Sequence, residues 1–168
     1  MDLPKRKPIR LPDFDYSSPG AYFVTICTRD RRCILSDITV GALHEAPEAH
    51  VQLTQIGLIV QEVIETLPSR YPGLTVEHFV IMPNHIHLLL RINEASLRAN
   101  QSRSLLAQAI GFLKMNSSKR IHPKYPDVNL WQRSYHEHVI RNEKDHWEIW
   151  NYIEGNPSKW AEDRYHPA

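Results

Sequence analysis

A chain of 168 residues, 42% of them hydrophobic, has the size of one domain and enough apolar content for a sizeable core. Its formal net charge of +1 excludes a basic coat, so any contact with nucleic acid must come from local clusters of charge. No run approaches the roughly 20 uninterrupted apolar residues of a membrane span and the start carries no signal-peptide segment, so a cytoplasmic protein without a membrane partner is expected.

Residues 1–19 carry Lys5, Arg6, Lys7 and Arg10 among Pro4, Pro8, Pro12 and Pro19, which reads as an extended basic arm ahead of one globular domain, residues 20–168. Ala21 to Thr28 is rich in β-branched and aromatic residues, as a buried strand is. Cys27 and Cys33 form no CxxC pair and read as reduced thiols. Residues 52–67 place Leu53, Ile56, Ile59, Val60, Val63, Ile64 and Leu67 at helical spacing, with Pro68 as the expected stop.

Two strands follow, Leu74 to Met82 and His85 to Ile92, joined by Pro83-Asn84 as an antiparallel hairpin. A second helix is expected from Ser104 to Ile121, a short strand from Tyr135 to Ile140, and a third helix from Glu143 to Glu154. This order predicts an α+β domain of the ferredoxin-like, split βαβ kind: a central antiparallel sheet, helices on one face and an additional C-terminal helix.

On the strand Met82-Pro83-Asn84-His85-Ile86-His87-Leu88-Leu89-Leu90 alternate side chains share a face, so both imidazoles point one way while Ile86, Leu88 and Leu90 face helices on the other. Two imidazoles so placed suit a divalent ion, although the pattern alone also reads as two structural histidines. His136-Glu137-His138 repeats the spacing around a charged residue and reads as a partly exposed strand edge. A zinc hydrolase of the HxHxD kind would need an acid where Leu89 stands, and a two-histidine phosphoesterase would need a second HxT-like motif. Among seven tyrosines, Tyr152 lies on the last helix with Asn156 four positions on, where both can look at one phosphate; Gly155 and Pro157 put Asn156 near the helix end.

The stretches Ala21 to Thr28, Val80-Ile81-Met82-Pro83-Asn84-His85-Ile86-His87, Trp131 to Asn142 and Tyr152-Ile153-Glu154-Gly155-Asn156-Pro157 resemble, in order, the IS200-like single-tyrosine (HUH) transposases, and most of all their REP-associated tyrosine transposase branch. The resemblance covers nearly the whole chain. It implies a metal site at His85 and His87, with Asn156 as third polar ligand and Mg²⁺ or Mn²⁺ as cofactor, and Tyr152 as nucleophile. His136 and His138 match a family motif that is not assigned to the metal.

By the same resemblance the activity is nicking and rejoining of single-stranded DNA through a 5′-phosphotyrosine, on hairpin (palindromic) DNA with a short single-stranded flank, by a monomer or a homodimer. Candidate phosphate partners are Lys5, Arg6, Lys7 and Arg10 on the arm and Lys114, Lys119 and Arg120 on the second helix, each of which also reads as ordinary solvated charge. Trp131 and Tyr135 can stack on bases, but core packing is the simpler reading. Two alternatives are a domesticated, non-catalytic binder of structured single-stranded DNA or RNA, and a metal phosphoesterase of small substrates, which the missing acidic ligands disfavour.

Overall fold

Alternation along β1 (Gly20–Cys27) sends Tyr22, Val24 and Ile26 to one side and Phe23, Thr25 and Cys27 to the other. In the computed structural model, which describes residues 18–41, 48–93 and 104–167, β1 is followed by β2 (Ser36–Gly41), β3 (Glu48–Leu53), α1 (Gln55–Arg70), β4 (Leu74–Ile81) and β5 (His85–Ile92). Then come α2 (Leu105–Ile121), β6 (His136–Ile140) and α3 (Glu143–Gly155). The arm bearing Lys5, Arg6, Lys7 and Arg10 lies outside the described residues.

Four strands form an antiparallel sheet in the order β4-β5-β1-β6, the expected ferredoxin-like arrangement. Tyr22, Val24 and Ile26 of β1 and Ile86, Leu88 and Leu90 of β5 join Val60, Ile64 and Leu67 of α1 and Leu106, Ile110 and Leu113 of α2 in one buried core. Each such side chain taken from water contributes about 2 kcal/mol, which is why the apolar alternation of β5 fixes its register and therefore which way its histidines point. The other face of the sheet is left to α3. Among the described residues no helix is long and apolar enough to cross a membrane.

Three features depart from the expected order. Residues 36–41 and 48–53 pair as a separate β2–β3 hairpin, so Gln52 and Leu53 belong to a strand, and the helix starts only after Thr54, whose side chain accepts a 3.1 Å hydrogen bond from the Gly57 amide. Nor does Pro68 stop α1, which runs on to Arg70. A proline one turn from the end removes a single ladder bond, and the burial of Leu67 beside it holds the turn together.

Gly57 shows how tightly α1 seats on the chain leading into β2. A Cβ at this position would lie 2.0 Å from the Leu35 carbonyl oxygen, which already accepts from the Thr54 amide at 3.0 Å. Helix propensity alone makes Gly→Ala a gain of about 1 kcal/mol. Here the clash reverses the sign: Gly57→Ala is expected to destabilise by about 2 kcal/mol, read as a lower urea midpoint at unchanged slope. A raised midpoint would mean that the helix shifts freely.

Candidate active site

The β4–β5 connection orients the histidines before any other part of the chain does. Met82 is fully buried and its amide donates to the His85 carbonyl at 2.9 Å, closing the turn. The Pro83 carbonyl accepts from the amides of Ile34 and Leu35, and the Asn84 carbonyl from the amide and hydroxyl of Thr28. The Asn84 amide nitrogen donates to the carbonyls of Arg31 and Tyr165, so its oxygen is turned to His85 and accepts from Nδ1–H at 2.8 Å. A neutral His85 held in this tautomer carries its lone pair on Nε2.

His87 lies opposite Thr25 in the β1–β5 ladder, and its Nδ1 shares a 2.8 Å hydrogen bond with the Thr25 hydroxyl. The two Nε2 atoms therefore meet, 3.1 Å apart, with both side chains fully buried. Burial is the main cause that brings His85 down to about 4, with Arg164 and Arg31 adding to it and Asp163 opposing. Burial, then His85 and Arg164, hold His87 well below its ordinary value. Both rings are neutral at pH 7 and can offer lone pairs to a cation.

Helix α3 docks on this face from the β4 edge. Its N-cap Asn142 accepts from the Asp145 amide, His146 bonds Glu77 at 2.8 Å, Trp150 stacks on His78 at 4.4 Å between ring centroids, and Glu154 pairs with His78 at 2.9 Å. This seating brings the Tyr152 hydroxyl within 3.5 Å of His87 Nε2, with its ring edge-on to Phe23. Burial, and after it the Asp163 charge, raise the Tyr152 phenol above its ordinary value; Arg164 and the Asn156 amide pull the other way.

Asn156 ends α3 and is nearly fully buried; although it precedes proline it keeps helical dihedrals, and the chain continues as a 3₁₀ turn over Pro157–Glu162. Its amide nitrogen donates to Asp163 Oδ2 at 3.0 Å, while Tyr165 N–H donates to the other carboxylate oxygen at 2.7 Å. His85, His87 and Asp163 offer ligand atoms within 4.8 Å of one another, and they are the only three-member His, Cys, Asp or Glu group of that kind among the described residues. Two neutral imidazoles and a carboxylate suit a divalent ion of borderline or hard character. Beside them Tyr152, Asn156, Lys159, Asp163 and Arg164 line a cavity of about 300 Å³.

The residues expected to act thus divide in two. His85, His87, Tyr152 and Asn156 converge, within one chain. Lys114, Lys119 and Arg120 lie on α2, which packs on the opposite face: Lys114 donates to the carbonyls of Gln132 and Arg133, Arg120 pairs with Glu62, and Lys119 is exposed. Trp131 is buried with its indole donating to Ser117, and Tyr135 packs against the core. His136 and His138 sit exposed on the edge strand β6, where His138 pairs with Asp145. Asp163, Lys159, Arg164 and Thr25 were not legible as site residues, because no fixed spacing ties them to the histidines.

Comparison with known proteins identifies the family. A family model described as transposase IS200 like matches residues 21–156. An uncharacterized protein of Haemophilus influenzae is 32% identical over 95% of this chain and 92% of its own length. A second protein of that organism, described as a REP-associated tyrosine transposase, is 30% identical over 86% of this chain and 74% of its own. A solved structure of a REP-associated tyrosine transposase bound to a REP hairpin shares the fold, with a TM-score of 0.62 and 22% identity over 90% of this chain and 74% of that one.

Proposed function

The chain belongs to the IS200-like transposases, in their REP-associated tyrosine branch, and from that premise we propose that it nicks and rejoins single-stranded DNA through a covalent link to Tyr152. One observation carries the reading: the Tyr152 hydroxyl lies 3.5 Å from Nε2 of His87, beside a buried pair of neutral histidines. The solved relative carries a REP hairpin, and hairpin DNA with a single-stranded flank is the substrate proposed here. Because one chain supplies all of these groups, a monomer suffices, acting in the cytoplasm.

The donor set suits a divalent ion. Two neutral imidazole nitrogens stand 3.1 Å apart, and beside them the Asn156 side-chain oxygen is buried without a hydrogen-bond partner, which a cation would supply. His85, His87 and an oxygen of the Asn156–Asp163 pair would hold Mg²⁺ or Mn²⁺. Once bound, such an ion polarises the target phosphate and offsets its developing charge, an effect worth several kcal/mol.

Tyr152 Oη attacks the phosphorus, the Oη–P bond forms as the P–O3′ bond breaks, and the phenolic proton ends on the departing 3′-hydroxyl. Rejoining is the same exchange run backward by a 3′-hydroxyl. The ester energy is kept, so no nucleotide cofactor is needed. A phenol held above its ordinary pKa by burial is a weak nucleophile, so most of the acceleration comes from positioning and from activation of the phosphate. Lys159 and Arg164 in the adjoining cavity supply positive charge for the DNA backbone.

Incubation with a labelled DNA hairpin and Mn²⁺ tests this. The expected result is a protein–DNA adduct that survives denaturation, with the nucleotide mapped by peptide mass spectrometry to Tyr152. Tight hairpin binding without any adduct would make the protein a non-catalytic binder.

A further inference from the structure

The third ligand of the proposed cation site, an oxygen, can be assigned to one residue, and that residue lies outside the span that the family model matches, residues 21–156. We propose that Asp163 is the ligand and that Asn156 acts as a positioning residue that aims its carboxylate. The assignment rests on the metal-dependent reading above, but it concerns this chain's own side chains.

Three observations carry it. Asp163 offers a carboxylate oxygen within 4.8 Å of the ligand nitrogens of both histidines. Its carboxylate is fixed from both sides before any ion arrives, by the Tyr165 amide on Oδ1 and the Asn156 amide on Oδ2, so little ordering accompanies binding. Asn156 donates its nitrogen to that carboxylate, as groups that orient metal ligands do, while its own buried oxygen has no hydrogen-bond partner. Chemistry favours the same choice: a carboxylate is a stronger ligand than a neutral amide for Mg²⁺ or Mn²⁺, and it partly balances the ion's charge among neutral imidazoles.

The consequence is structural as well as chemical. The segment after α3 folds back over the histidines: Tyr165 packs 4.5 Å from the His85 ring and its carbonyl accepts from Asn84. The turn that delivers Asp163 therefore also helps to fix the tautomer of the first histidine.

The test uses the full chain without DNA and Mn²⁺ alone as probe, followed by calorimetry and by electron paramagnetic resonance of the bound ion. Asp163→Asn should weaken Mn²⁺ binding by roughly a hundredfold and change the spectrum, whereas Asn156→Ala should weaken it by about tenfold and leave the spectrum near that of the unmodified chain. An asparagine at 163 can still accept from the Tyr165 amide, and melting without metal verifies that the variant is folded. The reverse order, with Asn156→Ala abolishing binding and Asp163→Asn within threefold of the unmodified chain, would overturn the assignment. If the unmodified chain binds no Mn²⁺, or His87→Ala leaves binding unchanged, the histidine site itself falls, and the metal-dependent reading with it.

Discussion

Tyr152→Phe is expected to lower DNA cleavage and adduct formation by on the order of 10⁴-fold or more while leaving hairpin affinity within about threefold. Such a loss corresponds to about 5 kcal/mol of transition-state stabilisation. The substitution is clean because the phenol is 40% exposed and its packing, edge-on to Phe23 and against His87, is made by the ring that phenylalanine retains. Thermal stability should not change measurably. Binding is best followed by fluorescence anisotropy, and cleavage by denaturing gels in single turnover. Cleavage at the rate of the unmodified protein would remove Tyr152 from the chemistry.

Acid should unfold the metal-free protein earlier than surface carboxylates alone would. His85 has a folded pKa brought down to about 4, against about 6.5 when unfolded, so between these values the unfolded chain binds the extra proton. Stability is therefore fully present above pH 6.5 and declines as the pH falls toward 4, by roughly 3 kcal/mol for this group. His87, likewise held low by burial, adds with the same sign. Glu77 follows it: burial works upward on its carboxyl, but hydrogen bonds from Arg91 and His146 outweigh that and hold it below the usual range. Denaturant midpoints at pH 7 and 4.5 in chelator would measure the fall, and His85→Gln should flatten it; equal slopes in both proteins would contradict the buried, neutral state of His85.

The fold was legible where the code is periodic. Helix spacing in α1 and α2, and alternation in β1, β4 and β5, set the element order because each pattern has one face to bury. The β2–β3 hairpin escaped notice, since much of its surface is exposed and hydrophobic alternation then carries little signal. Pro68 misled because the rule for helix interiors was applied to a last turn, where a buried neighbour overrides it. Likewise the histidine pair and Tyr152 were legible from short motifs, whereas Asp163 reaches the site through a 3₁₀ turn whose course depends on tertiary contacts rather than local spacing. Lys114 looked available to DNA because a sequence does not show that two loop carbonyls take up its ammonium group.

The irregularity in β4 has a consequence for how the helix that carries Tyr152 is aimed. Pairing passes from Val76–Leu90 to His78–Leu89, so Glu77 is an extra residue and both it and His78 are directed at α3. Glu77 grips His146 and His78 grips Glu154, two turns farther along the same helix, so one local insertion sets both the rotation and the tilt of that rod. Deleting Glu77 would restore regular alternation, leaving His78 opposite Leu89 on the side of α3, and would take away the grip on His146. The phenol would then ride on a rod fastened only near its far end, at Glu154.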